Sequence, residues 1–357
     1  MRPSPASTAL MAMLTVFGGL TAATAARSQP DAAQWSPPKT PWGDPDLQGI
    51  YNYGTSTPLE RPLALIDQPV LSAEEATALE QNLVETLNQD RRDGGAEADV
   101  ARNYNELWTD ASRTQLTADK RTSLIIDPPD GRLPPRVERP LTAAEEQARL
   151  EAELSLKRFT AGFHASYRDA DVGNRCIIRR RNEGGGHPYL PALYNNMAQI
   201  FQSPGYVVIY AEMIHHARII PVDGRAHLPD NVETWLGNPV GRWDGDTLVV
   251  ETTNFLTADD IGRTGVVYGN ADPKTFRIIE RFTRTGPATL DYVVTLSDPN
   301  TWTRPFTIRV PWNQTDEQIY EYQCQELNYD LYFWLHGARE REQRGERFDP
   351  DADLDLR

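Results

Sequence analysis

The sequence predicts a mainly β protein, an antiparallel β-barrel or sandwich with accessory α-helices in its N-terminal half and at its C-terminus. From Gly205 onward, apolar and polar residues alternate with the period of two that is typical of strands with one buried face. The connections between these segments are about 4 to 20 residues long and contain no crossover helix, which favours antiparallel pairing. The first half instead contains helix start signals.

Two capping boxes mark the predicted helices of the first half. One begins a helix over about 72–91 and the other a helix over about 142–167, because in each a Ser or Thr is followed three residues later by Glu. Between them, the Ile-Ile pair at 125–126 predicts a short strand that ends at a Pro-Pro-Asp-Gly turn. A further helix is expected from about Glu326.

Six longer segments have the composition and spacing of strands. They are Leu47–Tyr53, Tyr206–Ile220, Thr247–Asn254, Thr275–Arg284, Thr289–Leu296 and Phe306–Trp312. The alternation is cleanest in the last two, so one face of each is expected to pack against the core and the other to be wetter.

Composition and local motifs divide the chain into four predicted regions. Residues 1–25 have the short apolar stretch and the Ala-Thr-Ala cleavage site of a secretory signal peptide, and 26–45 is a Pro-rich segment. Residues 46–345 are predicted to form a single β-barrel domain with helical insertions, followed by an acidic tail at 346–357. We therefore expect a periplasmic or secreted protein with no stable membrane insertion after signal cleavage.

Charge and cysteine content restrict the partners and the redox chemistry. A formal net charge of −15 and a pI near 4.9 argue against nucleic acid as a partner, because binding phosphates needs a surplus of cations. An exported chain meets an oxidising compartment, so Cys176 and Cys324 are predicted to form a structural disulfide. Unpaired buried thiols and a catalytic cysteine are the alternatives.

The densest polar cluster lies in the predicted strand Tyr206–Ile220. A regular strand would place four polar side chains on one face: Tyr210, Glu212, His216 and Arg218. His215 would lie on the opposite face. Burying such a polar face without partners is unfavourable, so it either lines a ligand-binding lumen or faces water.

Acid–base catalysis and metal binding are the two kinds of chemistry that this cluster suggests. In the first, His215 or His216 would supply an imidazole near its working pKa. Glu212 would orient that imidazole, and Arg218 would stabilise an oxyanion. A metal ion would need His215, His216 and His227 together, but adjacent histidines point to opposite faces of a strand, so no metal site is predicted.

The remaining motifs carry weaker signals. The run Gly184–His187 lacks the Lys-Ser/Thr pair of a phosphate loop, so we expect a mobile loop over a cavity mouth rather than a nucleotide site. The preceding Arg179–Arg181 is either a solvated face or an anion contact. The chain has no G-x-S-x-G motif, so covalent acyl transfer is not predicted.

Six ordered motifs resemble a large family of exported bacterial proteins of unassigned function, over roughly residues 42–344. The motifs are WGDPDLQGI (42–50), RTSLIIDPPDGR (121–132), YNN (194–196), EMIHHARIIPVDGRAH (212–227), GRWDGDTLVVETTNF (241–255) and YEYQC (320–324). At fold level, the GRWDGDTLVV run and the strand at LQGIY (47–51) are also similar, more weakly, to lipocalin-like (calycin) barrels. That similarity implies a barrel that holds a small molecule.

The family resemblance implies that certain residues of the fourth motif matter. They are Glu212, His215, Arg218, Asp223, Arg225 and His227. The family more often has an acidic residue where this chain has His216, so the resemblance does not support a mechanism that rests on His216 alone. Because Glu212, His215 and Arg218 are spaced three apart, either a bulge near Ile214 aligns them or they act separately.

The resulting hypothesis is a lipocalin-like protein that holds a small, partly hydrophobic molecule and catalyses cofactor-independent proton transfer or elimination, as a lyase, hydratase or isomerase. His215, Glu212 and Arg218 are the predicted catalytic residues. The predicted ligand-binding residues are Tyr194, Asn196, Tyr210, His216, Asp223, Arg225 and His227. The alternatives are a non-catalytic periplasmic binding protein and a metal-dependent hydrolase.

The predicted site differs in charge from the rest of the chain. Tyr206–His227 contains two Arg and three His against one Glu and one Asp, although the whole chain is acidic. A neutral or anionic small molecule therefore fits this segment better than a cation does.

Overall fold

The computed structural model describes residues 35–92, 94–97, 106–170, 172–178, 186–256, 271–324 and 329–351. The chain divides into two compact units, Met1–Trp35 and Ser36–Arg357. Several predicted features lie outside the described residues: the signal peptide, residues 26–34 of the Pro-rich segment, residues 179–185, residues 325–328 and the last six residues of the predicted tail.

Within its described residues, the second unit contains an antiparallel sheet of ten strands. In chain order the strands are β1 (Gly49–Asn52), β2 (Ile125–Asp127), β3 (Met197–Ser203), β4 (Tyr206–Ala211), β5 (Ala217–Pro221), β6 (Asn238–Asp244), β7 (Thr247–Thr253), β8 (Arg277–Gly286), β9 (Thr289–Ser297) and β10 (Phe306–Thr315). Across the sheet they are ordered β5-β4-β3-β1-β10-β9-β8-β7-β6, and β2 pairs with β10. The predicted mainly β, antiparallel class is confirmed.

The two edge strands of the sheet, β5 and β6, approach each other without pairing. Within the described residues no hydrogen-bonded ladder joins them, so the sheet is not closed into the predicted barrel. They approach closely at Gly241 of β6, where a Cβ atom would lie 2.8 Å from Val222 Cγ1 and 2.9 Å from Ile220 Cγ2. Glycine therefore lets the edges touch at this point. We call the gap between β5 and β6 the seam.

Two strands, β3 and β6, were not predicted from the sequence. In β3, Ile200 is the only β-branched residue, which leaves a weak strand signal. Pro239 and Gly241 interrupt β6 and argue against a central strand. They are tolerated because β6 lies at an edge of the sheet.

Aromatic side chains fill the buried face of the sheet. The predicted alternation in β9 is confirmed, since every second residue from Leu290 to Leu296 is fully buried. Trp312 of β10 lies among five other rings at centroid distances of 5.3 to 6.2 Å, those of Tyr51, Tyr53, Tyr189, Phe282 and Tyr292. This part of the sheet encloses a packed core rather than an open lumen.

The long α-helices that lie fully within the described residues are α1 (Ala73–Thr86), α2 (Ala143–Thr160) and α3 (Asp330–Gln343). Both predicted capping boxes are present at the starts of α1 and α2. Among the described residues, no helix is long and apolar enough to cross a membrane.

Both helices of the first half end earlier than their predicted limits at residues 91 and 167. After α1, the Asn88 side chain accepts the backbone N–H of Asp90 at 2.8 Å, which favours a turn over a further helical turn. After α2, Gly162 has a φ of +72°, and the backbone N–H of Phe163 donates to the Arg158 carbonyl at 2.9 Å. This hydrogen bond and the positive φ of Gly162 are those of a Schellman motif, which ends the helix.

The predicted disulfide is confirmed. Cys176 and Cys324 are bonded, with their Cα atoms 5.9 Å apart, and they are 148 positions apart in sequence. The bond joins the segment after α2 to the segment after β10. It therefore fixes two distant parts of the chain beside each other.

Candidate functional site

β4 and β5 form a tight hairpin and are not the single strand that the sequence predicts over Tyr206–Ile220. The chain reverses at residues 212–216, where Ile214 and His215 have φ angles of 61° and 45°. Residues other than glycine rarely adopt this left-handed region. The turn sequence EMIHH contains no Gly, Asn or Pro, so the sequence has no signal for the reversal.

The reversal changes which side chains share a face. Arg218 pairs with Ile209 across the hairpin, and cross-strand partners project to the same side. Ile209 is fully buried and Arg218 is 3% exposed, whereas Tyr210 projects to the other face and is partly exposed. The predicted common face of Tyr210, Glu212, His216 and Arg218 is therefore wrong.

The three predicted catalytic residues have separate partners. Buried Glu212 accepts a hydrogen bond from the Tyr320 backbone N–H at 3.0 Å, and burial raises the pKa of its carboxyl group. His215 is exposed, and its Nδ1 lies 3.0 Å from the Tyr322 carbonyl oxygen. Within the described residues, no hydrogen bond or ion pair joins Glu212, His215 and Arg218 to one another.

Arg218 instead belongs to a buried polar network with β7, β8 and β9. Its Nη1 donates to Glu280 Oε1 at 2.9 Å, and its Nη2 donates to Glu280 Oε2 at 2.5 Å and to Thr252 Oγ1 at 2.7 Å. The Tyr292 hydroxyl donates to the same Glu280 Oε1 at 2.9 Å. The side chains of Arg218 and Glu280 are 3% and 0% exposed, so this bidentate pair is desolvated.

Two imidazoles lie beside Arg218. His187 is buried, and its burial together with the charge of Arg218 holds its pKa well below the usual value of 6.5. Burial and the same guanidinium lower the pKa of His216 to about 4. Both rings are therefore neutral at pH 7, so each offers one N–H donor and one acceptor nitrogen.

His187, His216 and Arg218 line a cleft of about 440 Å³ at the seam. One wall is the end of the β4–β5 turn and the start of β5, residues 216–219, and the other is residues 234–239 leading into β6. The apolar part of the lining consists of Ile177, Ala217, Ile219, Trp235, Leu236 and Pro239. The cleft therefore lies between the start of β5 and the segment that leads into β6.

The apolar wall is braced from outside the cleft. The Arg175 guanidinium lies 5.3 Å from the centroid of the Trp235 ring and 5.1 Å from that of Tyr167. Arg175 and Ile177 flank Cys176, whose disulfide holds this segment to the chain after β10. The covalent bond and the cation–π contacts thus help to fix the position of Trp235.

Four buried nitrogen atoms of the cleft residues have no hydrogen-bond partner within the described residues. They are Nδ1 and Nε2 of His187, Nδ1 of His216 and Nε of Arg218. The Leu236 backbone comes near His187 and the Tyr189 hydroxyl comes near Arg218, but neither contact has hydrogen-bond geometry. Unpaired buried polar atoms are rare in folded proteins, and their presence at one cleft suggests a ligand that completes them.

Two of the predicted ligand-binding residues form a surface pair away from the cleft lining. Asp223 and Arg225 are exposed, with Arg225 Nη2 2.6 Å from Asp223 Oδ2 and 2.8 Å from the Tyr206 hydroxyl oxygen. His227 is partly buried, and its Nδ1 lies 3.1 Å from the Asn238 carbonyl oxygen. These contacts organise the connection between β5 and β6.

The other two predicted ligand-binding residues lie before β3. Asn196 is fully buried, and its Nδ2 donates to Asp110 Oδ2 at 2.5 Å and to the Ala192 carbonyl at 2.9 Å. Tyr194 is partly exposed. Asn196 thus stabilises its own turn, and of the predicted site residues only His216 and Arg218 line the cleft.

Sequence reasoning overlooked Glu280 and gave His187 no chemical role. The signal for Glu280 was present, since it occupies a core-facing position of β8 between Ile278 and Phe282, where a carboxylate needs a buried partner. His187 was recognised only as the end of a glycine-rich run. Across the described ranges, no group of three or more His, Cys, Asp or Glu side chains is placed to hold a metal ion.

The comparisons with known proteins add little to the geometry. No protein-family model and no curated protein matches the chain. Among solved structures, a variant of the fluorescent protein UnaG is similar at 14% identity, over 34% of this chain and 72% of that chain, with a TM-score of 0.20. A likeness at this level assigns neither a fold family nor a function.

Proposed function

We propose that the cleft at the seam binds a small, partly hydrophobic organic molecule. The observation that carries this proposal is the convergence of His187, His216 and Arg218 on a cleft of about 440 Å³ whose other walls are largely apolar. Such a combination of apolar lining and a few convergent polar groups is typical of small-molecule sites.

The cellular setting belongs to the same proposal. The motif resemblance to exported bacterial proteins, the weaker likeness to lipocalin-like barrels and the disulfide support an exported, ligand-holding protein. The proposed ligand site differs from the site that the sequence predicts, because it lies between two sheet edges and is lined by neither Glu212 nor His215.

A fluorescence titration with N-phenyl-1-naphthylamine, a neutral apolar dye, tests the binding proposal. We expect saturable binding that Trp235→Ala weakens about tenfold, which corresponds to about 1.4 kcal/mol, because the variant removes the largest apolar side chain of the cleft. Trp42→Ala is the matched control, since Trp42 is exposed and does not line the cleft. Non-saturable binding, or equal weakening in both variants, would contradict the proposal.

Cofactor-independent proton transfer is a second candidate function at the same cleft. It rests on the unpaired Nδ1 of His216 beside Arg218 in the cleft lining. The lowered pKa of His216 makes this imidazole a weak base at pH 7. The imidazole would accept a proton and the guanidinium would stabilise a developing oxyanion. If His216→Leu still binds the dye but no longer converts a substrate that the unmodified protein converts, the cleft is catalytic. If the unmodified protein converts no substrate, the cleft only binds.

A further inference from the structure

The unpaired nitrogen atoms at the cleft indicate which chemical group a ligand presents there. His187 has two such nitrogens and His216 has one, and His187 is only 3% exposed. Each neutral ring has one N–H, whose position on Nδ1 or Nε2 adjusts to its partner. An oxygen acceptor that received an N–H from each ring would satisfy donors that the protein leaves unpaired.

The buried ion pair gives the same end of the cleft a positive potential. Arg218 lines the cleft, whereas its partner Glu280 does not line the cleft and also accepts a hydrogen bond from the Tyr292 hydroxyl. The positive end of the pair therefore faces the cleft. The guanidinium also lowers the pKa of both imidazoles, because a positive charge beside a ring disfavours its protonation.

We infer that the cleft recognises an organic carboxylate with an apolar, ring-shaped body. Its oxygens would accept hydrogen bonds from His187 and His216, and its charge would lie in the field of Arg218. Its body would pack against Trp235 and Ile219. This inference rests on the proposed binding function and specifies the ligand class within it. A cation is disfavoured, because none of the described residues that line the cleft carries a carboxylate.

Three probes of the same shape and different charge test this inference by isothermal calorimetry at pH 7. They are 2-naphthoate, its neutral isostere 2-naphthamide, and the cation 2-naphthylmethylammonium. We expect 2-naphthoate to bind at least tenfold more tightly than the amide, and the cation to bind most weakly. If the amide binds as tightly as the acid, the inferred carboxylate is wrong although the binding proposal stands. If none of the three binds, both proposals are wrong.

Single substitutions test whether His216 causes the preference for 2-naphthoate over 2-naphthamide. His216→Leu removes one of the two imidazole donors, and we expect it to reduce the preference for 2-naphthoate over the amide at least threefold. His336→Leu is the matched control, because His336 is an exposed side chain of α3 and does not line the cleft. An unchanged preference in His216→Leu would overturn the inference.

A second measurement does not depend on how the variants fold. In the unmodified protein, addition of 2-naphthoate should shift the ¹⁵N side-chain resonances of His187 and His216, while those of His336 remain in place. If the shifts instead appear at His336, the carboxylate binds elsewhere and the inference is wrong.

Discussion

Removing the charge of Glu280 should destabilise the fold far more than removing a similar charge nearby. Glu280→Gln keeps the shape of the side chain, but it leaves Arg218 charged at 3% exposure. Breaking a buried pair by neutralising one partner costs about 3 to 5 kcal/mol. That cost corresponds to about two to four powers of ten in the folding equilibrium.

Urea unfolding followed by tryptophan fluorescence, with the disulfide intact, measures the effect. The matched control is Glu251→Gln in β7, where Arg277 Nη1 lies 3.0 Å from Glu251 Oε1 and the two side chains are 54% and 28% exposed. Screening by water makes such a pair worth less than about 1 kcal/mol. The two variants therefore make the same Glu-to-Gln change, one in a buried ion pair and the other in a more exposed one.

A double variant distinguishes loss of the whole Arg218–Glu280 ion pair from loss of one partner, which leaves the other charge buried without a counter-charge. Arg218→Met with Glu280→Leu removes both charges, and replacing a buried pair by apolar residues is often nearly neutral for stability. We expect the double variant to be at least about 2 kcal/mol more stable than Glu280→Gln. If Glu280→Gln unfolds within about 1 kcal/mol of the unmodified protein, the account of Arg218 as a desolvated charge is refuted.

Two further predictions concern pH and the disulfide. The pKa of His216 is lowered from 6.5 to about 4 in the folded state, so the unfolded chain binds a proton first as the pH falls. Lowering the pH from 7 to 5 should therefore cost about 2 kcal/mol through His216 alone, a loss that His216→Leu removes in urea titrations at both pH values. Replacing Cys176 and Cys324 by Ser opens a loop of 148 positions, which should cost up to about 5 kcal/mol in the same assay; an unchanged midpoint would contradict this.

The sequence correctly predicts the elements in which the local residue pattern agrees with the burial and capping found in the structure. In β9 the alternation of apolar residues coincides with full burial of one face, and both capping boxes occur where a Ser or Thr precedes Glu by three residues. The β4–β5 turn was missed because a positive φ at Ile214 and His215 is imposed by the surrounding structure and not by a turn residue. Closure of the barrel depends on how far the sheet curls, which no local pattern encodes.

The candidate site was only partly predictable for a similar reason. Arg218 and His216 were recognised as chemically unusual, but the assumed strand assigned them to a face with Tyr210 and Glu212. The true partner of Arg218 is Glu280, 62 positions later, and only the sheet order brings β5 and β8 to the same core. His187 belongs to no strand, so its place beside Arg218 depends entirely on tertiary structure.

The seam has an evolutionary consequence. Because no backbone ladder joins β5 and β6 in the described part of the chain, altering the spacing between them breaks no strand-to-strand hydrogen bond. Substitutions at Ile219, Trp235 or Pro239 can therefore reshape the cleft while the aromatic core around Trp312 stays the same. Under the proposed binding function, descendants of one ancestral chain can diverge in ligand preference by accumulating changes along two strand edges.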